Sequence, residues 1–435
     1  VDVGSTFTKA SLVDLAAARI VATASHRTTI GTDVLEGIDA CRTSLAEADP
    51  RAGDAEVLAC SSAGGGLRIA VVGGEELVTA EAGRRVALSS GGKVVAVVAA
   101  AAHATLDHAC APDVVLLTGG TDGGNREVVV RAARELVAGG WTGPVVVAGN
   151  VDARGEVTAA LGSTPYVVAD NVVPRIGVLA PDSARAAVRE VFLAHVIGGK
   201  HLSASPRFAS LVRGATPDVV LRGVEVLAGR AGEVVVVDVG GATTDVHSVV
   251  ELDPEDGALA RDVVAPTPLT RTVEGDLGMR WSAISTVEEG GRPDLLDAAR
   301  RRRDDVGHLP RTPTEQAVDD EIAGTAASLA VRRHAGRSRV VVSPEGRVVE
   351  RTGVDLREVG LVVALGGVFR HGTPGSATRL LAGALGVHEG GWQLPEHARV
   401  VVDTDGLLTA VGLLVDDHPG VGYRLVAQWA GAGAR

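Results

Sequence analysis

The sequence predicts an α/β protein: two related domains around a cleft, with a further α/β unit inserted in the first half. Three observations carry this expectation. Short apolar strand segments alternate with helical stretches along most of the 435 residues, which is the pattern of strand–helix–strand units. A strand that ends in Asp and then turns through glycines and hydroxyls occurs twice, as VDVGSTFTK at residues 1–9 and VVVDVGGATTDV at residues 235–246. The length itself exceeds what one compact core supports, so two or three domains are expected.

The elements follow in order. Residues 1–108 form a first subdomain. Its strand signals are Ala10–Asp14, Ile20–Ser25, Val57–Cys60, Leu67–Val72 and Val94–Val98, and its helical stretches are Thr32–Ala48 and Glu75–Leu88. Residues 109–200 read as the inserted unit, with strands Val114–Leu117, Val145–Ala148 and Tyr166–Ala169. Helices Arg126–Ala138, Ala153–Leu161 and Ser183–Val196 separate or follow them, as a parallel sheet requires. Residues 201–435 resume the opening plan. Helix Pro217–Ala228 leads to strand Val234–Val239, the glycine turn and a return strand Thr244–Glu251. Helices are expected at Gly278–Val287, Asp294–Asp305 and Thr314–His334. Strands at Val340–Ser343, Val348–Glu350 and Leu361–Leu365 follow, then helices Gly375–Leu385 and Gly406–Leu414.

Composition narrows the function. With 46% hydrophobic and 22% charged residues the chain is globular. A formal charge of −12 argues against nucleic acid or an anionic membrane as the main partner. The longest apolar stretch, Val94–Ala102, is far short of the ~20 residues of a membrane span. Cys41, Cys60 and Cys110 are isolated, which leaves zinc and iron–sulfur patterns unsupported and fits a reducing, cytoplasmic location. The chain starts without Met and already inside a strand, so a few preceding residues are expected.

The first loop, Asp2-x-Gly4-Ser5-Thr6-x-Thr8-Lys9, has the parts of a phosphate grip. Glycines let backbone N–H groups approach phosphate oxygens, and hydroxyls add donors. Gly4, Ser5 and Thr6 would wrap phosphate, Asp2 would reach Mg2+ through water, and Lys9 would offer charge to a γ-phosphate. Alone, the segment is equally an ordinary hairpin turn. The second loop, Asp238-x-Gly240-Gly241-x-Thr243-Thr244-Asp245, repeats the design, and the repetition favours phosphate binding by the pair. Asp238 ends the apolar strand and is the better candidate for orienting an attacking water or holding metal. Asp245 stays open between a role and a solvent-facing turn charge. A third pair, Gly366-Gly367, ends a strand and lets an adenine and its ribose lie against backbone, or serves only as a strand-to-helix turn.

These three elements in this order resemble the sugar kinase–heat shock 70–actin superfamily, in which nucleotide sits between two duplicated domains. Asp405–Gly412 resembles its connecting helix, with Ala410 and Gly412 small enough for close packing. Three further segments are similar to the MutL family encoded with adenosylcobalamin-dependent glutamate mutase, which is unrelated to the mismatch-repair protein of that name. They are Leu117–Asn125 (LTGGTDGGN), Cys60–Arg68 (CSSAGGGLR) and Val273–Arg280 (VEGDLGMR). The resemblance implies duplicated ATPase domains around a nucleotide cleft, ATP and Mg2+ as cofactors, and an accessory ATPase that reactivates a cobalamin-dependent mutase. A hydantoinase-like enzyme or a small-molecule kinase of the same superfamily is the alternative.

The Thr118–Asn125 loop follows a strand and opens a helix, so its amides could receive an anion, but it lacks the P-loop and dinucleotide fingerprints, and a partner-facing or structural turn is the favoured reading over nucleotide binding. Glu274-Gly275-Asp276 reads either as a helix cap or as approaching the nucleotide, and Arg300–Arg303 as a solvated helix face or a docking patch. Asp245-x-His247 lacks the glycine that would complete a corrinoid-binding loop.

Overall fold

The computed structural model describes residues 1–432 except 64–65, 101–105, 107, 198–201, 252–266 and 344–345. Gly64, Gly65 and His103 therefore lie outside the described residues. In chain order the first strands are β1 (Asp2–Val3), β2 (Phe7–Asp14), β3 (Arg19–Arg27), β4 (Ala59–Ser61), β5 (Leu67–Gly73) and β6 (Gly92–Ala99). Next come β7 (Val114–Leu117), β8 (Val145–Val147), β9 (Tyr166–Val168), β10 (Val212–Ala215), β11 (Val234–Val239) and β12 (Thr244–Val249). The last are β13 (Leu269–Glu274), β14 (Arg337–Ser343), β15 (Gly346–Thr352), β16 (Leu361–Leu365) and β17 (Arg399–Val402).

Two mixed sheets share one design. The first runs β10-β4-β1-β2-β3 and the second β13-β12-β11-β16-β17. In each, three consecutive strands form an antiparallel meander, and two later strands add in parallel beside the first. Numbered within its own sheet, each has the order 3-2-1-4-5. A hairpin carrying the Asp–Gly–hydroxyl motif occupies the same place in both. The third sheet, β6-β5-β7-β8-β9, is wholly parallel. It lies in sequence between β4 and β10 of the first sheet.

The expected boundary near residue 109 does not coincide with a sheet boundary. β5 and β6 pair with each other and β5 with β7, so residues 67–99 belong to the third sheet. β5 is buried along nearly its whole length and β6 is half-exposed at the sheet edge, and apolar runs of this kind look alike in sequence whichever sheet recruits them. Other elements differ in extent. The expected helix 278–287 starts only at Ala283 and runs on to Glu289, and Gly375–Leu385 shortens to Ser376–Leu380 plus a turn. Strands β10, β13 and β17 and helix Pro419–Ala432 were not expected.

Helix Thr216–Ala231 follows β10 directly and feeds β11, so it connects the two mixed sheets. Helix Leu407–Leu414 crosses it at two glycines. A Cβ on Gly412 would lie 1.9 Å from the Val219 carbonyl oxygen, and one on Gly223 would lie 2.1 Å from that of Leu408. Backbone therefore meets backbone at the crossing, as the small residues in Asp405–Gly412 lead one to expect. No helix among the described residues is long and apolar enough to cross a membrane.

Candidate functional site

The two hairpins close alike. Gly4 N–H donates to the Phe7 carbonyl at 3.1 Å, and Gly240 N–H donates to that of Thr243 at 2.9 Å. In register, Asp2 faces Lys9 and Asp238 faces Asp245. The hairpins also face each other: a Cβ on Gly241 would sit 3.2 Å from Thr6 Oγ1. A Cβ at 241 would be a tight contact that asks the Thr6 side chain to give by a few tenths of an ångström.

Asp2, Lys9, Asp238 and Gly366 line one cavity of about 330 Å³, together with Thr216, Arg370, Asp403 and Gly406. Helix Thr216–Ala231 delivers Thr216, whose hydroxyl donates to Asp2 Oδ1 at 2.7 Å. Removal from water pushes the Asp238 carboxyl up to about 6. Lys9 opposes the rise, the charges of Asp245 and Asp2 add to it, and Arg370 opposes it again. A carboxylate poised near neutrality beside a lysine has the properties of a general base. No group of three or more His, Cys, Asp or Glu among the described residues could cage a metal. Two carboxylates on one cavity do fit Mg2+, which keeps several waters and borrows phosphate oxygens.

The remaining loop residues fall into place individually. Ser5 donates its hydroxyl to the Ser62 carbonyl at 3.2 Å, and Thr243 donates its own to Asp245 Oδ2 at 3.0 Å. Thr244 is fully buried in β12, and its hydroxyl meets no partner among the described residues. Thr6 is thus the hydroxyl of the set that faces the opposite loop.

Gly366 sits at the end of β16 with φ +114°, and a Cβ there would lie 2.3 Å from the Val239 carbonyl oxygen. Its neighbour Gly367 has open space around that position. The turn requirement explains Gly366 and leaves Gly367 free of it. We expect Gly366→Ala to lower the urea midpoint, with of order 1–3 kcal/mol from the backbone strain alone. Gly367→Ala is expected to leave the midpoint near wild type.

Arg370 and Asp403 were not singled out in the sequence. Asp403, buried beyond β17, accepts from the N–H groups of Leu407 at 2.7 Å and Leu408 at 3.0 Å, so it caps the crossing helix. Burial pushes its carboxyl up, and those amides and Arg370 hold it down. Arg370 comes from the short turn after Gly366.

Several expectations are corrected. Asp245 is no solvent-facing charge: it is buried and paired with Arg271 at 2.5 Å. Glu274 and Asp276 neither cap a helix nor face the cavity, because both pair with Arg333 at 2.8 Å. The segment they introduce buttresses the second loop from behind. Met279 and Arg280 N–H groups donate to the Gly240 and Gly241 carbonyls at 3.0 and 2.8 Å, and Ser282 donates to that of Ala242 at 2.6 Å. Within the arginine run, Arg302 is buried against Asp319, which also holds Arg280. The Thr118–Asn125 loop leaves Asp122 and Asn125 exposed while each also accepts hydrogen bonds from its own unit. Asp122 accepts from Val151 N–H and Asn171 Nδ2, and Asn125 accepts from Val128 N–H.

Comparison with known proteins places the chain. The model of the MutL protein family matches residues 1–430. Protein MutL of Clostridium tetanomorphum is 34% identical over 454 residues, covering 98% of this chain and 98% of that one. Among solved structures, nucleotide-free acetone carboxylase, from work on ATP-dependent acetone carboxylation, covers 95% of this chain and 69% of its own, at 14% identity. Its TM-score of 0.38 is too low to bear on the fold. On the family model and the end-to-end relative, the chain belongs to the MutL protein family.

Proposed function

We propose that the cavity takes ATP with Mg2+, and that binding and slow hydrolysis switch the angle between two duplicated, actin-like halves. The observation that carries this reading is the pair of hairpins: alike in closure, set in sheets of one order, meeting at Gly241 and Thr6, and each sending strand residues (Asp2 and Lys9, Asp238) to one cavity that the turns themselves do not line. On this reading one half is residues 1 to about 66 with about 202–215, the other is about 233–432, helix Thr216–Ala231 joins them, and the third-sheet unit is the insertion.

The chain's own groups suffice to position the reaction. Backbone N–H groups of the two loops and the Thr6 hydroxyl hold phosphates, and Lys9 balances their charge. Asp238 orients a water for in-line attack and takes its proton. Asp2, fixed by Thr216, and Asp238 would hold the hydrated metal, which when bound neutralises phosphate charge. The crossing helices, locked at Gly223 and Gly412, form the axis about which the halves turn.

Membership in the MutL family and the motif resemblance support a role beside a cobalamin-dependent mutase of the glutamate mutase type, as its reactivating accessory. The test pairs two measurements. Titration calorimetry should show Mg-ATP binding, with phosphate released in the absence of any acceptor; release only with an added hydroxyl compound would favour a kinase. The protein with Mg-ATP and fresh adenosylcobalamin should restore a suicide-inactivated glutamate mutase. No recovery with hydrolysis intact would remove the reactivating role and leave the ATPase.

A further inference from the structure

We propose that Arg271 is a positioning residue that couples the second glycine hairpin to the third-sheet unit, so that the ligand state of the hairpin sets how firmly that unit docks. The proposal rests on the nucleotide reading above and adds how the signal leaves the site.

The side chain of Arg271 is 1% exposed. It donates from Nη2 to Asp245 Oδ1 at 2.5 Å and from Nη1 to the Leu88 carbonyl at 2.7 Å. Leu88 lies in the last turn of helix Glu81–Ser89, which belongs to the third-sheet unit. On the other side, Asp245 Oδ2 accepts from the Thr243 hydroxyl, and the Thr243 carbonyl closes the turn at Gly240. One buried guanidinium therefore spans from the phosphate-facing turn to another unit's helix end. The interface around it is close: a Cβ on Gly91 would lie 2.8 Å from the Asp218 amide nitrogen, and one on Gly275 would lie 2.6 Å from Lys93 Nζ.

The contact is also incompletely satisfied. Arg271 Nε and Nδ1 of His247, its register partner on β12, are buried with no partner among the described residues. Each such group has given up water without gaining a hydrogen bond in return. Partial undocking would admit water to both and recover part of that loss, which keeps the open arrangement within reach of the docked one. A phosphate drawing on Thr243 or shifting the turn disturbs Asp245, and Arg271 passes the change to Leu88.

Hydrogen exchange on the full chain, read by mass spectrometry, tests this without nucleotide and with Mg-ATP or Mg-ADP, calorimetry running alongside. Wild type should change exchange at residues 86–92 by roughly fivefold or more between states, the lower end of ordinary coupling. Arg271→Met should still bind Mg-ATP yet lose that difference, and Arg271→Lys should keep part of it. Saturating binding with no change at 86–92 in wild type overturns the coupling and spares the site. Full retention of the change in Arg271→Met overturns it as well. Should the Met variant not fold, the wild-type and Lys measurements decide. Absence of any nucleotide binding is the separate outcome that removes the site, and the coupling with it.

Discussion

Asp238→Asn is expected to slow phosphate release by about a hundredfold or more, the order of a lost general base, while weakening Mg-ATP binding far less. Asn keeps the size and one acceptor but cannot take the proton of the attacking water. The same substitution should stabilise the folded protein at neutral pH. In the fold the Asp238 carboxyl is pushed from its ordinary 3.8 up to about 6, chiefly by burial. A carboxyl raised in this way contributes stability that is fully present below 3.8 and lost as pH rises through about 6. Above that, wild type carries an ionised group in a poorly hydrated place, and the Asn variant does not. The gain in urea midpoint should therefore be near zero at pH 3.5–4, grow towards pH 6, and then level off. Wild-type turnover should fall on the acid side of about pH 6 as Asp238 takes up its proton. Turnover close to wild type in the variant, or a stability gain that is the same at every pH, would move the role to Asp2.

The parts of this molecule that the sequence exposes are those where backbone constraint writes itself in glycine. Gly4 and Gly240 each close a turn that a Cβ would obstruct, Gly366 needs positive φ, and Gly412 lets two helices touch. Gly4 and Gly240 stand two residues beyond Asp2 and Asp238, Gly366 lines the cavity itself, and Gly412 precedes Leu413, which lines it too. Residues that reach the cavity from elements without such constraint stayed hidden. Thr216 opens an ordinary helix after Ala215, Arg370 sits in a short turn, and Asp403 follows the four residues of β17. Strand β13, LTRTVE, was missed for a related reason. Its polar positions look solvent-facing, yet Arg271 is buried because Asp245 and Leu88 supply partners from distant parts of the chain. Which sheet β5 and β6 join is likewise a matter of pairing, and runs of valine do not record their neighbours.

Gly241→Val should abolish Mg-ATP binding, a loss of at least about a hundredfold in affinity, corresponding to ~2.7 kcal/mol, in a protein that still folds. The two glycines of the second loop differ as probes. A Cβ on Gly240 would lie 2.9 Å from the Thr243 carbonyl oxygen, the acceptor that closes the hairpin, so Gly240→Val damages the turn itself. A Cβ on Gly241 instead approaches Thr6 Oγ1 at 3.2 Å and the Arg280 side chain at 3.4 Å, and Gly241 is not among the residues of positive φ. The branched side chain of Val would extend into the gap between the loops, where phosphate is expected, and leave the hairpin bond intact. The circular dichroism and urea midpoint of Gly241→Val should lie within about 1 kcal/mol of wild type, as for substitutions that create neither cavity nor orphaned polar group. Those of Gly240→Val should fall well below. Calorimetry on a folded Gly241→Val protein then isolates the gap between the loops, and undiminished affinity there would put the phosphates elsewhere than between the two hairpins.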